Sequence, residues 1–153
     1  MTIERAWLAV VSAEHTRGAV AGGFVQLNHG KRPGVARLHR GDGFVIYSPT
    51  DQYGDKTPLR AFTALGIVAD SEPYQAAPMS MGARGTVEPW RRTITFARVT
   101  PIPLADITAE LHLTSQPNWG YQLRRGLVPL TPSDFAVLQE AMTPGAHAPM
   151  GTI

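Results

Sequence analysis

The sequence feature that most constrains the fold is residues 60–70, RAFTALGIVAD, a long segment of β-strand character with a glycine in its middle. Gly66 has no side chain to pack, and a glycine inside a strand marks a bulge or a bend. Bends of this kind let a single sheet curl on itself. We therefore expect a strongly curved sheet or a small barrel around this segment.

Several other strands are predicted on both sides of this segment. Apolar, β-branched or alternating runs predict them at residues 7–11, 24–28, 43–47, 90–99 and 122–130. Ser48 and Pro49 are expected to stop the third of these strands. Strands outnumber helices and the two do not alternate along the chain, which favours an α+β fold with helices packed against a curved sheet.

Two helices have clear signals at their ends. Ser12 is the expected N-cap of a helix over residues 13–21 that Gly22 and Gly23 end. Thr131 before a proline predicts the start of the last helix. Three side chains of that helix recur at helical spacing and should face the core: Phe135, Leu138 and Met142. A short helix is expected at residues 103–111, and loops are expected at residues 30–34 and 71–89.

The residue types exclude several kinds of enzyme. The chain has no cysteine, which removes disulfides, thiolate zinc sites and cysteine nucleophiles together. Its five histidines show no zinc-binding spacing, so we expect no metal and no cofactor. GAVAGG at residues 18–23 closes a predicted helix instead of opening one, so it is no dinucleotide-binding loop. No catalytic residue is predicted, and a binding protein is favoured over an enzyme.

The chain ends and the hydropathy pattern suggest where the protein works. Residues 1–11 lack the basic region and long apolar run of a signal peptide, and no stretch approaches ~18 consecutive apolar residues. We expect a cytoplasmic protein that does not cross a membrane, either a monomer or a weak dimer. Residues 1–143 are expected to form one domain, and residues 144–153 a flexible tail rich in Pro, Gly and Ala.

Short blocks in a characteristic order lie along the chain: WLAVVSAEH (7–15), AGGF (21–24), NHGK (28–31), YSP (47–49), FTALG (62–66), EPY (72–74), PWRR (89–92), NWG (118–120) and RRGL (124–127). Their ordered series resembles the EVE domain family of the PUA-like superfamily, and the resemblance spans roughly residues 5–142. This resemblance implies a small mixed β-barrel of five or six strands with flanking helices, related to YTH and ASCH domains. It also implies recognition of a modified base in DNA or RNA by a bacterial protein.

Reading a modified base requires aromatic walls for the base and fixed polar groups for its edge. The candidates lie at strand ends and at a helix start: Ser12, His15, Gly22, Gly23, Phe24, Tyr47, Ser48, Trp90, Asn118 and Trp119. Trp119 leads because its loop-like surroundings, PNWG, give an indole no obvious packing role. The hypothesis is one cavity that Phe24, Tyr47 and Trp119 face together. The alternative for each aromatic residue is packing in the core.

A basic rim is the second part of the predicted site. The chain carries a net charge of +2, and its clustered cations suit a phosphate backbone: His29, Lys31, Arg32, Arg91, Arg92, Arg124 and Arg125. Solvated strand faces or loops are the alternative for each cluster. Alternation along residues 90–99 places Arg92 on one face with Ile94 and Phe96, and Arg91 on the other.

Two other functions remain open at this point. The first is an enzyme acting on a modified nucleoside, as some ASCH relatives do, with His15 or His29 and Asp42 or Asp55 as acid–base groups. The second is a regulatory domain whose cavity binds a small metabolite. Phosphate contacts weaken steeply with salt, whereas binding of a neutral metabolite does not.

Overall fold

The computed structural model describes residues 3–52, 54, 56–80 and 85–144. The strands are β1 (Ala6–Val10), β2 (Phe24–Val25), β3 (Gly43–Thr50), β4 (Pro58–Val68), β5 (Tyr74–Gln75), β6 (Met79–Ser80), β7 (Thr86–Val87), β8 (Trp90–Phe96), β9 (Ile102–Pro103) and β10 (Leu127–Leu130). The helices are α1 (Ala13–Gly22), α2 (Arg32–Ala36), α3 (His112–Ser115), α4 (Trp119–Gln122) and α5 (Pro132–Met142). The predicted tail lies, from residue 145 onward, outside the described residues.

Six strands form a curled mixed sheet in the order β10-β1-β3-β4-β8-β2. β1 and β3 run parallel, and the other neighbours in this order are antiparallel. The short strands β5 and β9 pair with β8 and β4 away from this path. The architecture confirms the predicted α+β class, and the expected small barrel of five or six strands is a sheet curled into a half-barrel.

The sheet bends beside Gly66 and not at it. Gly66 pairs in regular register, whereas the β3–β4 ladder shifts near Phe62 and again near Arg60. A Cβ atom on Gly66 would lie 2.5 Å from the carbonyl oxygen of Thr95, on β8. Glycine is therefore needed for the close approach of β4 and β8, and the expected bulge lies a few residues earlier in β4.

Hydrophobic cores cover both faces of the sheet. In β1, Leu8 contributes to one core and Trp7 and Ala9 to the other, as alternation along a strand requires. We call one side the α5 face because three residues of α5 are buried there, as predicted: Phe135, Leu138 and Met142. We call the opposite side the α2 face, since Val35 of α2 is buried there.

The boundaries of α1 and α5 are confirmed. The Ser12 hydroxyl accepts from the amide of His15 at 3.5 Å, and Gly23 ends α1 with φ of 71°. Thr131 caps α5 by accepting from the amide of Asp134 at 3.1 Å. Each cap satisfies an amide that has no partner within its own helix.

Several segments differ from the expectation. Residues 71–89, expected as a loop, contain β5, β6 and β7, and the short helix expected at residues 103–111 is two 3-10 turns, Leu104–Asp106 and Thr108–Glu110. Residues 30–34 contain the start of α2 in place of a loop, because Val35 is buried against the sheet. β3 continues through Ser48 and Pro49 to Thr50, since the register shift in the β3–β4 ladder accommodates the proline. Residues 122–126 are helical or turn, and the last strand begins only at Leu127.

Candidate nucleic-acid interface and a second cleft

The structure does not gather the predicted site residues in one cavity: some of them line two separate clefts, and the others line neither. The first has a volume of about 500 Å³, and we call it the Trp90 cleft; it is lined by His29, Gly30, Lys31, Arg32, Pro33, Val87 and Trp90. The second has a volume of about 450 Å³, and we call it the Trp119 cleft; it is lined by Val10, Tyr47, Pro49, Arg60, Leu104, Trp119, Gly120, Leu123 and Arg124.

The two clefts lie on opposite faces of the sheet. Trp90 packs against the core of the α2 face, whereas Trp119 packs against the core of the α5 face. Phe24 lines neither cleft. A single aromatic cavity of Phe24, Tyr47 and Trp119, as hypothesised from the sequence, is therefore not formed.

The Trp90 cleft is built where a tight turn packs on the start of β8. Gly30 has φ of 82°, and a Cβ atom there would lie 2.7 Å from the Cβ of the buried Pro89. The same turn holds His29 at φ of 60°, in the left-handed region that non-glycine residues rarely adopt. The chain then leads into α2, where the guanidinium carbon of Arg32 lies 5.4 Å from the centroid of the Trp90 ring.

A second arginine–aromatic pair joins the start of β8 to β2. The guanidinium carbon of Arg91 lies 3.8 Å from the centroid of the Phe24 ring. Its Nε donates to the side-chain oxygen of Gln26 at 2.9 Å. A side chain on Gly22 would strike the Phe24 ring, so this glycine preserves the position of the ring. We call Phe24, His29, Lys31, Arg32, Trp90 and Arg91 the β2–β8 surface.

The cations of the β2–β8 surface have no acidic partner among the described residues. The ion pairs in that part of the chain join Arg17 to Asp51, His39 to Asp42, and Arg92 to Asp70. Lys31, Arg32 and Arg91 take part in none of them. Their charges are therefore available to an anion, next to two aromatic rings.

Arg92 is a correction to the predicted phosphate contacts. Its side chain is 1% exposed, and its Nε donates to the Asp70 carboxylate at 2.7 Å. Its Nη1 donates to the carbonyl oxygens of Val35 and Leu38. Arg92 therefore has no access to a phosphate, and instead it ties α2 to β8. The signal was present in the sequence, because Arg92 shares its strand face with apolar residues.

Asp70, which the sequence did not single out, completes this buried cross-link. Its carboxylate also accepts from the amide of Thr93 at 2.9 Å. Burial alone would raise the pKa of Asp70, but the hydrogen bonds from Arg92 and Thr93 outweigh it and hold the pKa below its usual value. The ionised pair stabilises the segment that carries the Trp90 cleft.

The polar residues predicted near α1 line neither cleft. Ser48 is fully buried, and its hydroxyl is 2.7 Å from that of Thr63 and 3.5 Å from that of Thr16. It is therefore closed to a ligand, which corrects its predicted role. Ser12 is 8% exposed and serves as a helix cap, while His15 is exposed on α1.

The Trp119 cleft combines two aromatic residues with two arginines. Tyr47 of β3 lies 5.4 Å from Phe62, measured between ring centroids. Burial raises the pKa of the Tyr47 phenol, although the charge of Arg60 acts in the opposite direction. The phenol is therefore neutral at physiological pH and can donate a hydrogen bond. Arg124 forms the other side of the basic rim.

The position of Trp119 depends on a carboxylate from another helix. Asp134, buried in the first turn of α5, accepts from the amides of His112 and Leu113 at 2.7 and 2.9 Å. These bonds fix the start of α3, which leads through Asn118 into α4. Asn118 itself has φ of 60°, is exposed, and lines neither cleft.

The predicted Arg124–Arg125 clamp is divided. Arg124 lines the Trp119 cleft and lies 5.3 Å from the ring centroid of Tyr121, an exposed residue not singled out from the sequence. Arg125 lies outside the cleft and donates to the side-chain oxygen of Gln122 at 3.2 Å. Arg124 is therefore on the face of the sheet opposite His29 and Lys31.

The groups proposed for acid–base chemistry do not come together. Asp42 is 6% exposed and accepts from the indole of Trp7 at 2.8 Å and from the amide of His39 at 2.9 Å. Its partner is thus neither His15 nor His29, and Asp55 lies outside the described residues. No cluster of three metal-binding side chains occurs in the described part of the chain. No helix there is long and apolar enough to span a membrane.

Comparisons with known proteins agree on one family. The model of the EVE domain matches residues 5–141. A UPF0310 protein of Renibacterium salmoninarum is 48% identical over 137 residues, covering 90% of this chain and 94% of the relative. A UPF0310 protein of Bacillus subtilis is 36% identical over 139 residues, covering 89% and 90%.

Two solved structures share the fold. A hypothetical protein from Leishmania major has a TM-score of 0.56 at 14% identity, covering 90% of this chain and 93% of that one. A protein from Pseudomonas syringae has a TM-score of 0.55 at 15% identity, covering 89% and 98%. At this level of identity the likeness concerns the fold alone.

Proposed function

This chain belongs to the EVE domain family, and on that premise we propose that it is a nucleic-acid-binding module that reads a modified base at its β2–β8 surface. The observation that carries the proposal is the pair of arginines on aromatic rings, Arg91 on Phe24 and Arg32 on Trp90. Both arginines lack an acidic partner among the described residues. Aromatic faces beside unpaired cations suit bases and phosphates together.

Each part of this surface has a role in the proposed complex. Lys31, Arg32 and Arg91 contact phosphates, because they are the cations of the β2–β8 surface that form no ion pair among the described residues. Trp90 stacks on the base that leaves the helical stack, which is worth ~1–3 kcal/mol per base. The Trp90 cleft, at about 500 Å³, lies within the size range of small-molecule sites and admits a base once Arg32 swings from the ring.

The test is a titration of short DNA and RNA oligonucleotides, each carrying one modified base, against unmodified copies of the same sequence. The wild-type protein should bind at least one modified oligonucleotide more tightly. Trp90→Ala should lose this preference, with a loss of roughly tenfold expected from the stacking energy. Arg91→Gln should weaken all oligonucleotides alike and lower the salt slope of log K by about 0.9.

Two variants on the other face of the sheet serve as matched controls. Trp119→Ala and Arg125→Gln make the same chemical changes outside the β2–β8 surface, and they should leave oligonucleotide affinity unchanged. No preference for any modification would contradict the reading of a modified base. Loss of the preference in Trp119→Ala but not in Trp90→Ala would show that the base is read at the other cleft.

A further inference from the structure

The Trp119 cleft differs in chemistry from the surface proposed for nucleic acid. Its walls are aliphatic or prolyl, namely Val10, Pro49, Leu104 and Leu123. Tyr47 and Trp119 add two aromatic rings, while Arg60 and Arg124 supply positive charge. Among the described residues, no acidic side chain lines it. Its lining therefore suits a ligand with an apolar, flat body and a negative group.

Arg60 is held at this cleft in a conformation that its side chain does not favour. It has φ of 52°, and it lies where the β3–β4 ladder shifts register. A non-glycine residue in this region costs about 1–3 kcal/mol, so the surrounding strands impose it. Arg60 forms no ion pair with the described acids, and its charge acts on Tyr47. The strained backbone conformation therefore places a cation without an ion-pair partner among the described residues at the rim of the cleft.

We propose that the Trp119 cleft is a separate binding site for a small planar anion, an aromatic or heteroaromatic ring carrying a carboxylate or a phosphate. The ring packs against Trp119 and the aliphatic walls. The anionic group pairs with Arg60 and Arg124, and the neutral phenol of Tyr47 donates a hydrogen bond. Because this cleft and the Trp90 cleft lie on opposite faces of the sheet, the proposal goes beyond nucleic-acid binding and does not depend on it.

The experiment follows the three indole N–H signals of Trp7, Trp90 and Trp119 by NMR, each assigned with a Trp→Phe variant. The anionic probes are adenosine 5′-monophosphate and 2-naphthoate, and their uncharged counterparts are adenosine and 2-naphthalenemethanol. At least one anionic probe should shift the Trp119 signal more strongly than its uncharged counterpart. A response to the phosphate alone identifies a nucleotide-like ligand, and a response to the carboxylate alone identifies an aryl acid.

Charge variants locate the anionic group. Arg124→Gln and Arg60→Gly should each weaken the responding probe by about tenfold, the loss expected for a charge-assisted hydrogen bond. Arg125→Gln makes the same change one residue outside the cleft and should alter affinity by less than about twofold. A urea unfolding curve verifies that each variant is folded. Because Arg60→Gly relaxes its backbone, one of the two cleft variants remains informative if the other unfolds.

Three results would overturn the proposal. They are no response of the Trp119 signal to either anion, equal binding of charged and uncharged probes, and an equal loss in Arg124→Gln and Arg125→Gln. An oligonucleotide titration of the same sample, read at the Trp90 signal, tests the nucleic-acid proposal separately. A negative result at the Trp119 signal therefore does not affect the test of nucleic-acid binding at the Trp90 signal, and the reverse also holds.

Discussion

The Trp90 cleft and the Trp119 cleft use the same residue types in different surroundings. Trp90 lies at the start of a seven-residue strand, with Arg32 over its ring, and Arg91, which follows it in the strand, lies over Phe24. Trp119 lies on a four-residue helix among aliphatic walls, with Arg60 and Arg124 lining the same cleft. Several cations on neighbouring segments suit a polymer of phosphates, whereas two cations around an apolar cleft suit one small anion.

The two clefts also depend on different carboxylates, of which Asp70 is partly buried and Asp134 is buried. Asp70, through Arg92, ties α2 to β8 and so supports the Trp90 cleft. Asp134 holds the start of α3 and so supports the segment that carries Trp119. Because these supports lie on different elements, each cleft can be perturbed while the other keeps its structure.

The largest effect is expected from Arg92→Met, which removes the cation of the buried pair. The Asp70 carboxylate then keeps the amide of Thr93 but loses the guanidinium, as do the carbonyl oxygens of Val35 and Leu38. Removing one partner of a buried pair costs about 3–5 kcal/mol. The free energy of unfolding, measured with urea, should fall by about that amount. Oligonucleotide binding should fall with it, while the Trp119 signal keeps its response to the anionic probe.

Two measurements check that the cross-link is the cause. Arg98→Met removes an exposed arginine beyond β8 and should change stability by less than about 0.5 kcal/mol. Because the folded pKa of Asp70 is lowered, its contribution is full above the unfolded pKa and is lost as the pH falls through the folded value. Arg92→Met should therefore show a smaller loss of stability on acidification. A loss below about 1 kcal/mol at neutral pH would contradict this role of the pair.

A smaller effect, in the opposite cleft, is expected from Asp134→Ala. The variant leaves the amides of His112 and Leu113 without their acceptor, and the loss should be about 2–3 kcal/mol. The Trp119 signal should broaden or move, and probe binding should weaken, whereas oligonucleotide affinity is retained. Glu140→Ala, an exposed position on the same helix, is the matched control. Equal loss at both clefts would show that Asp134 acts on the fold as a whole.

The sequence predicted the elements whose signals are local. Ser12 and Thr131 marked two helix starts correctly because a cap depends only on the residues that follow it. The apolar stripe of α5 was predicted for the same reason. Strand alternation likewise placed Arg92 beside Ile94, although the cluster of arginines suggested a surface role instead.

Local sequence patterns could not predict which site residues lie together in space. Trp90 meets a turn about sixty residues earlier in the chain, and Trp119 meets β3 and β4, so both neighbourhoods depend on strand order. The cap that Asp134 provides to α3 joins two helices and leaves no trace in spacing. Equally, nothing in RAFTALGIVAD distinguishes a glycine that bends a strand from Gly66, which admits the backbone of β8.

The smallest effect tests a feature that both clefts share, a non-glycine residue with left-handed backbone. His29 has this conformation in the Trp90 cleft and Arg60 in the Trp119 cleft. Glycine relieves strain of about 1–3 kcal/mol, but it raises the entropy of the unfolded chain by about 0.4–1 kcal/mol. His29→Gly and Arg60→Gly should therefore each stabilise the fold by about 1 kcal/mol, measured by urea unfolding.

Binding should change in the opposite direction, and only at the substituted cleft. Arg60→Gly should weaken the anionic probe at Trp119 and leave oligonucleotide affinity unchanged, while His29→Gly should weaken oligonucleotides and leave the probe unchanged. Strain that is retained for binding predicts this inverse relation between stability and affinity at each cleft. A fall in the free energy of unfolding of either variant would contradict this relation. It would show that the native side chain stabilises its turn more than the left-handed backbone conformation strains it.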